Sequence, residues 1–179
     1  LNLVMWGGVC LIAFMPLLIS IATYFLLETE VASHMDMSMR ITVLSRLDLW
    51  AYVAGLVWEA PWFGYGLEAG RFIPIDQVTF AYFSGNAMHH PHNGLLQIWF
   101  ELGAFGAMAA IVGWVALVRS LGRQSISSRR FLLAGLSNFI VIGSVSHGLW
   151  QSWWVSALVL IPFLYSIALS LNDVALENK

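Results

Sequence analysis

Long uncharged apolar runs constrain this chain more than any other feature. Residues 3–27 carry no charged side chain, and about 20 residues of helix cross the hydrocarbon core of a bilayer. Similar runs follow at 95–118, where Glu101 is the only charge, at 131–149 and at 153–171. Lipid offers no partner to a backbone N–H or C=O, so each run must bond its backbone internally, as a helix does. Pro16 and Pro162 fall inside two of the runs and are tolerated where neighbours satisfy the freed carbonyl. The expected fold class is an all-α integral membrane protein with about four transmembrane helices. Only 10% of residues are charged, against about a quarter in soluble domains. The chain starts at Leu1 without Met, and residues 1–27 lack a basic n-region and a small-residue cleavage site. This stretch therefore reads as a mature helix rather than a signal peptide, in a piece of a longer protein. Cys10 is the single cysteine, so no disulfide framework is expected.

Loop charge sets the expected orientation. Between the second and third runs stand Arg119, Arg123, Arg129 and Arg130 with no acid, which marks 119–130 as a cytoplasmic loop. Both termini, including the tail 172–179, then lie inside, and 28–92 lies outside. That outer segment holds seven of the ten acids, with only Arg40, Arg46 and Arg71 opposing them. Trp50, Trp58, Trp62, Trp99, Trp150, Trp153 and Trp154 fall near the outer boundary, as an aromatic belt does, and Trp6 and Trp114 near the inner one. Within the outer segment Leu47, Leu49, Trp50, Val53, Ala54 and Val57 recur at helical spacing. They predict an amphipathic helix over about 46–58, lying on or dipping into the outer interface. Pro61 ends it, and Gly64, Gly66 and Gly70 mark a turn-rich loop. The domains expected are thus helix 1–27, outer loop 28–92, helix 93–118, basic loop 119–130, two helices within 131–171, and the tail.

The outer segment ends in His89-His90-Pro91-His92-Asn93. Imidazole titrates near neutral pH and can give or take a proton there. Polar groups gathered at a membrane boundary point to function, but other readings stand beside that one. The histidines can be interfacial side chains satisfied by water and headgroups. Asn93 can be the N-cap of the next helix. His90 and His92 can ligate zinc, although no third strong ligand is spaced nearby. Arg46 presents a planar fork suited to phosphate oxygens, and equally can snorkel or pair with Asp48. The same alternative applies to Arg71. Glu101, two turns into its helix, can pair with His147 as a polar link between helices, and Gly103 and Gly106 offer close helix packing. Among recognisable motifs there is no Gly-rich phosphate loop, no Asp-x-Asp metal pair and no nucleic-acid-binding basic stripe. No cofactor, metal or nucleic-acid partner is expected.

The spacing His92-Asn93, nine residues, Gly103-x-x-Gly106 resembles that of the O-antigen ligase family. His90-x-His92-Asn93 is also similar to the wider O-antigen ligase and polymerase group. Upstream, Arg46-x-x-x-Trp50 and Ala60-Pro61-Trp62-Phe63-Gly64-Tyr65-Gly66 resemble the family's Arg, Trp and Pro-x-x-Gly-x-Gly stretch. The likeness covers about residues 45–106. It implies a polytopic bacterial inner-membrane glycosyltransferase with a GT-C-like helix bundle and its active site on the periplasmic side. The donor implied is an undecaprenyl-pyrophosphate-linked glycan, and the acceptor lipid A core or another glycan. By motif position His92 and Arg46 are the expected catalytic residues. His89, His90, Asn93, Trp50 and Arg71 are expected to bind substrate, with Glu101, Gly103, Gly106 and His147 in support. Family members have about ten to twelve helices and a further essential arginine that has no match here. Competing readings are an O-antigen or exopolysaccharide polymerase, a transporter fragment with a histidine proton relay, and a non-catalytic scaffold.

Overall fold

A computed structural model of the chain describes residues 1–28, 36–75, 80–83, 88–145, 148–157, 159–160, 163 and 167. Regular structure among them is helical throughout: α1 (Asn2–Glu28), α2 (Met37–Glu59), a 3₁₀ turn (Ala69–Arg71), α3 (Gly94–Leu121) and α4 (Ile126–Val145). The all-α membrane class expected from the sequence is borne out. α1, α2 and α3 are each long and apolar enough to cross a bilayer. The chain divides into two compact units, Leu1–Gly148 and Leu149–Lys179. In the second, the described residues of the expected span 153–171 are helical, and Trp153 donates its indole N–H to Gln151 at 3.1 Å. His147 and the tail 172–179 lie outside the described residues.

Local chemistry sets the helix bounds. The amphipathic segment expected over 46–58 is the second half of α2, which begins at Met37. Its N-cap is Asp36, whose carboxylate accepts from the Ser38 hydroxyl at 2.7 Å and the Ser38 amide at 3.2 Å. These bonds, the hydroxyl's first, hold the Asp36 carboxyl below its ordinary pKa. The connection between α3 and α4 is tighter than 119–130. Arg119 closes the last turn of α3, and Arg129 and Arg130 already lie in α4, so the arginines flank a short turn.

In the first unit α1 packs against α2 and α3, and α3 also packs against α4. Met15 and Ile19 of α1 meet Leu49, Val53 and Val57 of α2 and Leu96 and Phe100 of α3 in one buried cluster. Met5 and Ile12 meet Ala107, Trp114 and Val118 of α3 and Ile140 of α4 in another. Early residues of α1 thus face late residues of α3, so the two helices run antiparallel. Pro16 has no N–H to give the Ile12 carbonyl one turn back. The indole N–H of Trp99 supplies that bond instead, at 2.7 Å. Trp114 similarly donates to Met5 at 3.0 Å, and a side chain on Gly8 would clash with its ring.

α3 is broken at Gly103, where φ is +61° and ψ −157°, a conformation open essentially to glycine alone. Two helical rungs are lost there, Ala104 to Phe100 and Phe105 to Glu101. The loop after α2 replaces them. Tyr65 and Gly66 donate to the Phe100 and Glu101 carbonyls, both at 2.9 Å. Ala104 and Phe105 donate to Pro61 at 2.8 Å and Trp62 at 3.3 Å. Gly64 also has positive φ; a Cβ on it would strike the Glu101 backbone, and one on Gly103 the Trp62 backbone. Phe63 stacks on Phe105 at 4.8 Å, covering the seam. Gly103 therefore permits close approach, as read from the sequence, but the approaching element is a loop backbone rather than a second helix. Gly106 faces Leu102 of its own helix.

Two substitution sets test these devices. Trp99→Phe leaves the Ile12 carbonyl unpaired and lowers stability by about 1–3 kcal/mol. Adding Pro16→Ala restores the missing N–H and recovers most of that loss in a detergent melting curve. Gly103→Ala lowers stability by roughly 2 kcal/mol or more through strain and backbone clash. Gly113→Ala, on the same helix with open space around it, is neutral or stabilising by up to about 1 kcal/mol.

Candidate functional site

The histidine segment sits where the connection from α2 enters α3. Asn93 is the N-cap: its Oδ1 accepts from the Leu96 amide at 2.9 Å, and its Nδ2 donates to the Met15 sulfur at 3.6 Å. Asn93 is almost fully buried, so the cap joins α3 to α1. The residue before it, His92, has φ +54°. A left-handed backbone costs a residue with a Cβ roughly 1–2 kcal/mol and persists only where neighbours hold it. Pro91 precedes it, buried, and the Pro91 carbonyl accepts from the indole N–H of Trp50 at 2.6 Å. The His92 amide donates to His90 Nδ1 at 3.4 Å, and the two rings meet edge to face with centroids 4.3 Å apart. His90 and His92 are half-buried and His89 is exposed. The Gly70 backbone approaches the Met88 and His89 carbonyls so closely that a Cβ would lie 2.9 Å from the first.

α2 brings the arginine. Arg46 lies one turn before Trp50, on the same face of the helix. Its Nη1 donates to the Val145 carbonyl at 3.2 Å, at the end of α4. Cations are stabilising at helix C-termini. Just beyond, the Gly148 backbone lies against the His90 ring, where a Cβ would come within 2.7 Å. Arg46, Trp50, Pro91, His90 and His92, with the end of α4, thus form one continuous set of contacts. The pairing of Arg46 with Asp48 is not the arrangement found. Asp48 instead accepts from the backbone amides of Tyr82 and Phe83, and so ties the connection between α2 and α3 to α2. Phe80 packs edge-on against Tyr52 and Phe83 beside it.

The remaining expected residues are placed as follows. Arg71 is exposed and pairs with Glu68 at 3.3 Å, a contact of small energy in water. Glu101 is buried to 1% exposure and accepts from Gln97 Nε2 at 2.7 Å. Asn93, Gln97 and Glu101 recur every fourth residue, so they stack as a buried polar column from the histidine segment to the break at Gly103. Gln97, Asp48 and the clamping role of Trp50 escaped the sequence reading. The spacing of Asn93, Gln97 and Glu101 could have revealed the column; no local signal foretells that Asp48 would find loop amides. Tyr65 donates its hydroxyl to Glu59 at 2.9 Å, and burial, then the Glu59 carboxylate, raises its pKa. Among the described residues no three His, Cys, Asp or Glu side chains gather to hold a metal.

A family model described as O-antigen ligase matches residues 1–111, from α1 through the break in α3. The chain belongs to the O-antigen ligase family. It is similar to proteins curated as "Putative polysaccharide ligase". That of Rickettsia felis is 30% identical over 74% of this chain and 34% of its own length. That of Rickettsia conorii is 26% identical over 85% and 38%, and that of Rickettsia typhi 27% over 93% and 44%. The chain spans less than half the length of these relatives. No solved structure matches it. Within the O-antigen ligase region two of the stretches that carry the resemblance, Ala60–Gly66 and the segment of α3 around Gly103–Gly106, are in direct backbone contact.

The cap yields a quantitative expectation. Asn93→Ala removes the bond to the Leu96 amide and lowers stability by about 1 kcal/mol. Asn93→Asp retains the acceptor and loses less, as thermal unfolding of the two variants compares directly.

Proposed function

We propose that this chain carries part of the active site of a glycosyltransferase that moves a lipid-linked glycan onto an acceptor hydroxyl at the periplasmic face of the bacterial inner membrane. The donor is an undecaprenyl-pyrophosphate-linked glycan, and the reaction is O-antigen ligation to the lipid A core. The observation that carries this reading is the conformation of His92, a strained residue at the head of α3, clamped through Pro91 to the helix that bears Arg46. Strain collects at functional sites because pre-organisation is useful there. Membership of the O-antigen ligase family supports a lipid-linked glycan as the substrate class.

In the reaction, the acceptor oxygen attacks the anomeric carbon as the bond from that carbon to the pyrophosphate oxygen breaks. His92 takes the acceptor's proton. Negative charge builds on the departing pyrophosphate, and the Arg46 guanidinium, a planar fork of donors, stabilises it. A single displacement inverts the anomeric configuration. The donor bond is already activated, so no nucleotide enters. His89 and Arg71, both exposed, meet the glycan or headgroups. The rest of the full-length protein contributes the remaining helices.

The test uses a strain lacking the full-length gene, complemented with variants, and a gel of its surface lipopolysaccharide. Wild type restores the ladder. His92→Ala leaves bare core with polymeric glycan accumulating on the lipid carrier. Arg46→Ala gives a severe loss of roughly a hundredfold or more, and Arg46→Lys recovers only part, since ammonium lacks the fork. Core bearing a single repeat identifies a polymerase instead. A well-expressed His92→Ala protein with wild-type transfer overturns the assignment.

A further inference from the structure

His92 and Glu68 are the two residues other than glycine with positive φ among those described. Glu68 precedes a 3₁₀ turn and pairs with the exposed Arg71, whereas His92 lies against three separate restraints. Asn93 anchors its C-terminal side by capping α3. Its own amide donates to His90 Nδ1 at 3.4 Å. The carbonyl immediately before it, that of Pro91, accepts from Trp50 at 2.6 Å. Of the three, the Trp50 bond alone comes from α2, the helix that bears Arg46. His90 in turn is backed by Gly148, where even a methyl group would fall 2.7 Å from the imidazole, so the ring has little room to retreat. Trp50 has spent its one donor on protein backbone, and His90 Nδ1 faces the His92 amide, which places the proton of neutral His90 on Nε2.

We propose that Trp50 and His90 are positioning residues for His92 rather than groups that bind the glycan. Trp50 fixes the height of the histidine segment along α2, one turn from Arg46. Together with His90 it holds the backbone turn that aims the His92 imidazole. The inference rests on the reading of His92 as the catalytic base.

The test is steady-state kinetics of the purified full-length enzyme with an undecaprenyl-pyrophosphate-linked glycan donor. Trp50→Phe keeps an aromatic ring and loses the N–H. His90→Phe keeps the ring beside His92 and loses the acceptor nitrogen. For each, kcat falls about tenfold or more, which corresponds to about 1.4 kcal/mol of barrier. Trp50→Phe melts somewhat lower, because the buried Pro91 carbonyl loses its donor. The donor KM of the folded enzyme stays at its wild-type value in both variants, a split that misplaced catalytic geometry produces and lost substrate contact does not. A raised KM with kcat intact means that these residues touch substrate and overturns the proposal, as does unchanged kcat in both. Should Trp50→Phe fail to fold, His90→Phe decides. Loss of transfer in His92→Ala beside wild-type kinetics in the other two removes the positioning role alone. Full transfer by His92→Ala removes the site itself, and the positioning role with it.

Discussion

Everything about the histidine end of the first unit depends on the break in α3. A membrane helix that stops and restarts leaves two carbonyls and two amides without rungs, and lipid cannot bond to them. Here the Pro61–Gly66 loop satisfies all four. The loop thereby becomes part of α3's own ladder rather than a connection passing over it. That exchange needs glycine on both sides, at Gly64 and Gly103, because each backbone fills the space that the other's Cβ would take. It also fixes the end of α2 against the middle of α3. The direction in which α2 runs back, and with it the position of Arg46, follows from that junction.

A second tie closes the circuit. From Gly66 the chain leaves α3, passes through the 3₁₀ turn and the aromatic segment held by Asp48, and returns to α3 at Asn93. On the way in, Pro91 is caught by Trp50 of α2. The long excursion between α2 and α3 is thus pinned near both ends to the two helices it joins. Fixing a connecting segment near both ends lowers the entropy cost of ordering a site at one of them. Arg46 and His92 are 46 positions apart in the sequence, yet the tie at Trp50 lies within one helical turn of the first and one residue of the second.

The sequence made much of this legible, and the omissions have physical reasons. Hydropathy located α1, α3 and most of α4, because a membrane leaves helices few alternatives. It placed the start of α2 too late. Arg40, Thr42 and Ser45 dilute the apolar pattern there, and the Asp36 cap that starts the helix is a single residue's signal. The His92-Asn93 pair and the cap were visible because their chemistry is local. The break at Gly103 was not, since Gly-x-x-Gly looks the same whether it receives a helix or a loop. The tryptophans were read as an interfacial belt. Trp58 and Trp62 are exposed as that requires, but Trp50, Trp99 and Trp114 each direct the indole N–H at a backbone carbonyl within the bundle. An indole is equally suited to a wet boundary and to a lone buried acceptor, and composition cannot distinguish the two.

The buried column of Asn93, Gln97 and Glu101 follows from the same constraint. Three polar side chains on one face of a membrane helix are expensive unless each finds a partner. Asn93 uses its side-chain oxygen on the Leu96 amide, and Gln97 gives its N–H to Glu101. Glu101 stands two residues before the break, where its own carbonyl has already turned outward to Gly66. The polar face therefore runs from the strained histidine to the glycine that interrupts the helix, with apolar Leu96 and Phe100 packed beside it in the core. Replacing Asn93 by an apolar residue would leave the Leu96 amide without its cap. The helix can carry such a stripe because its two ends are the points where loop backbone and side chains reach in.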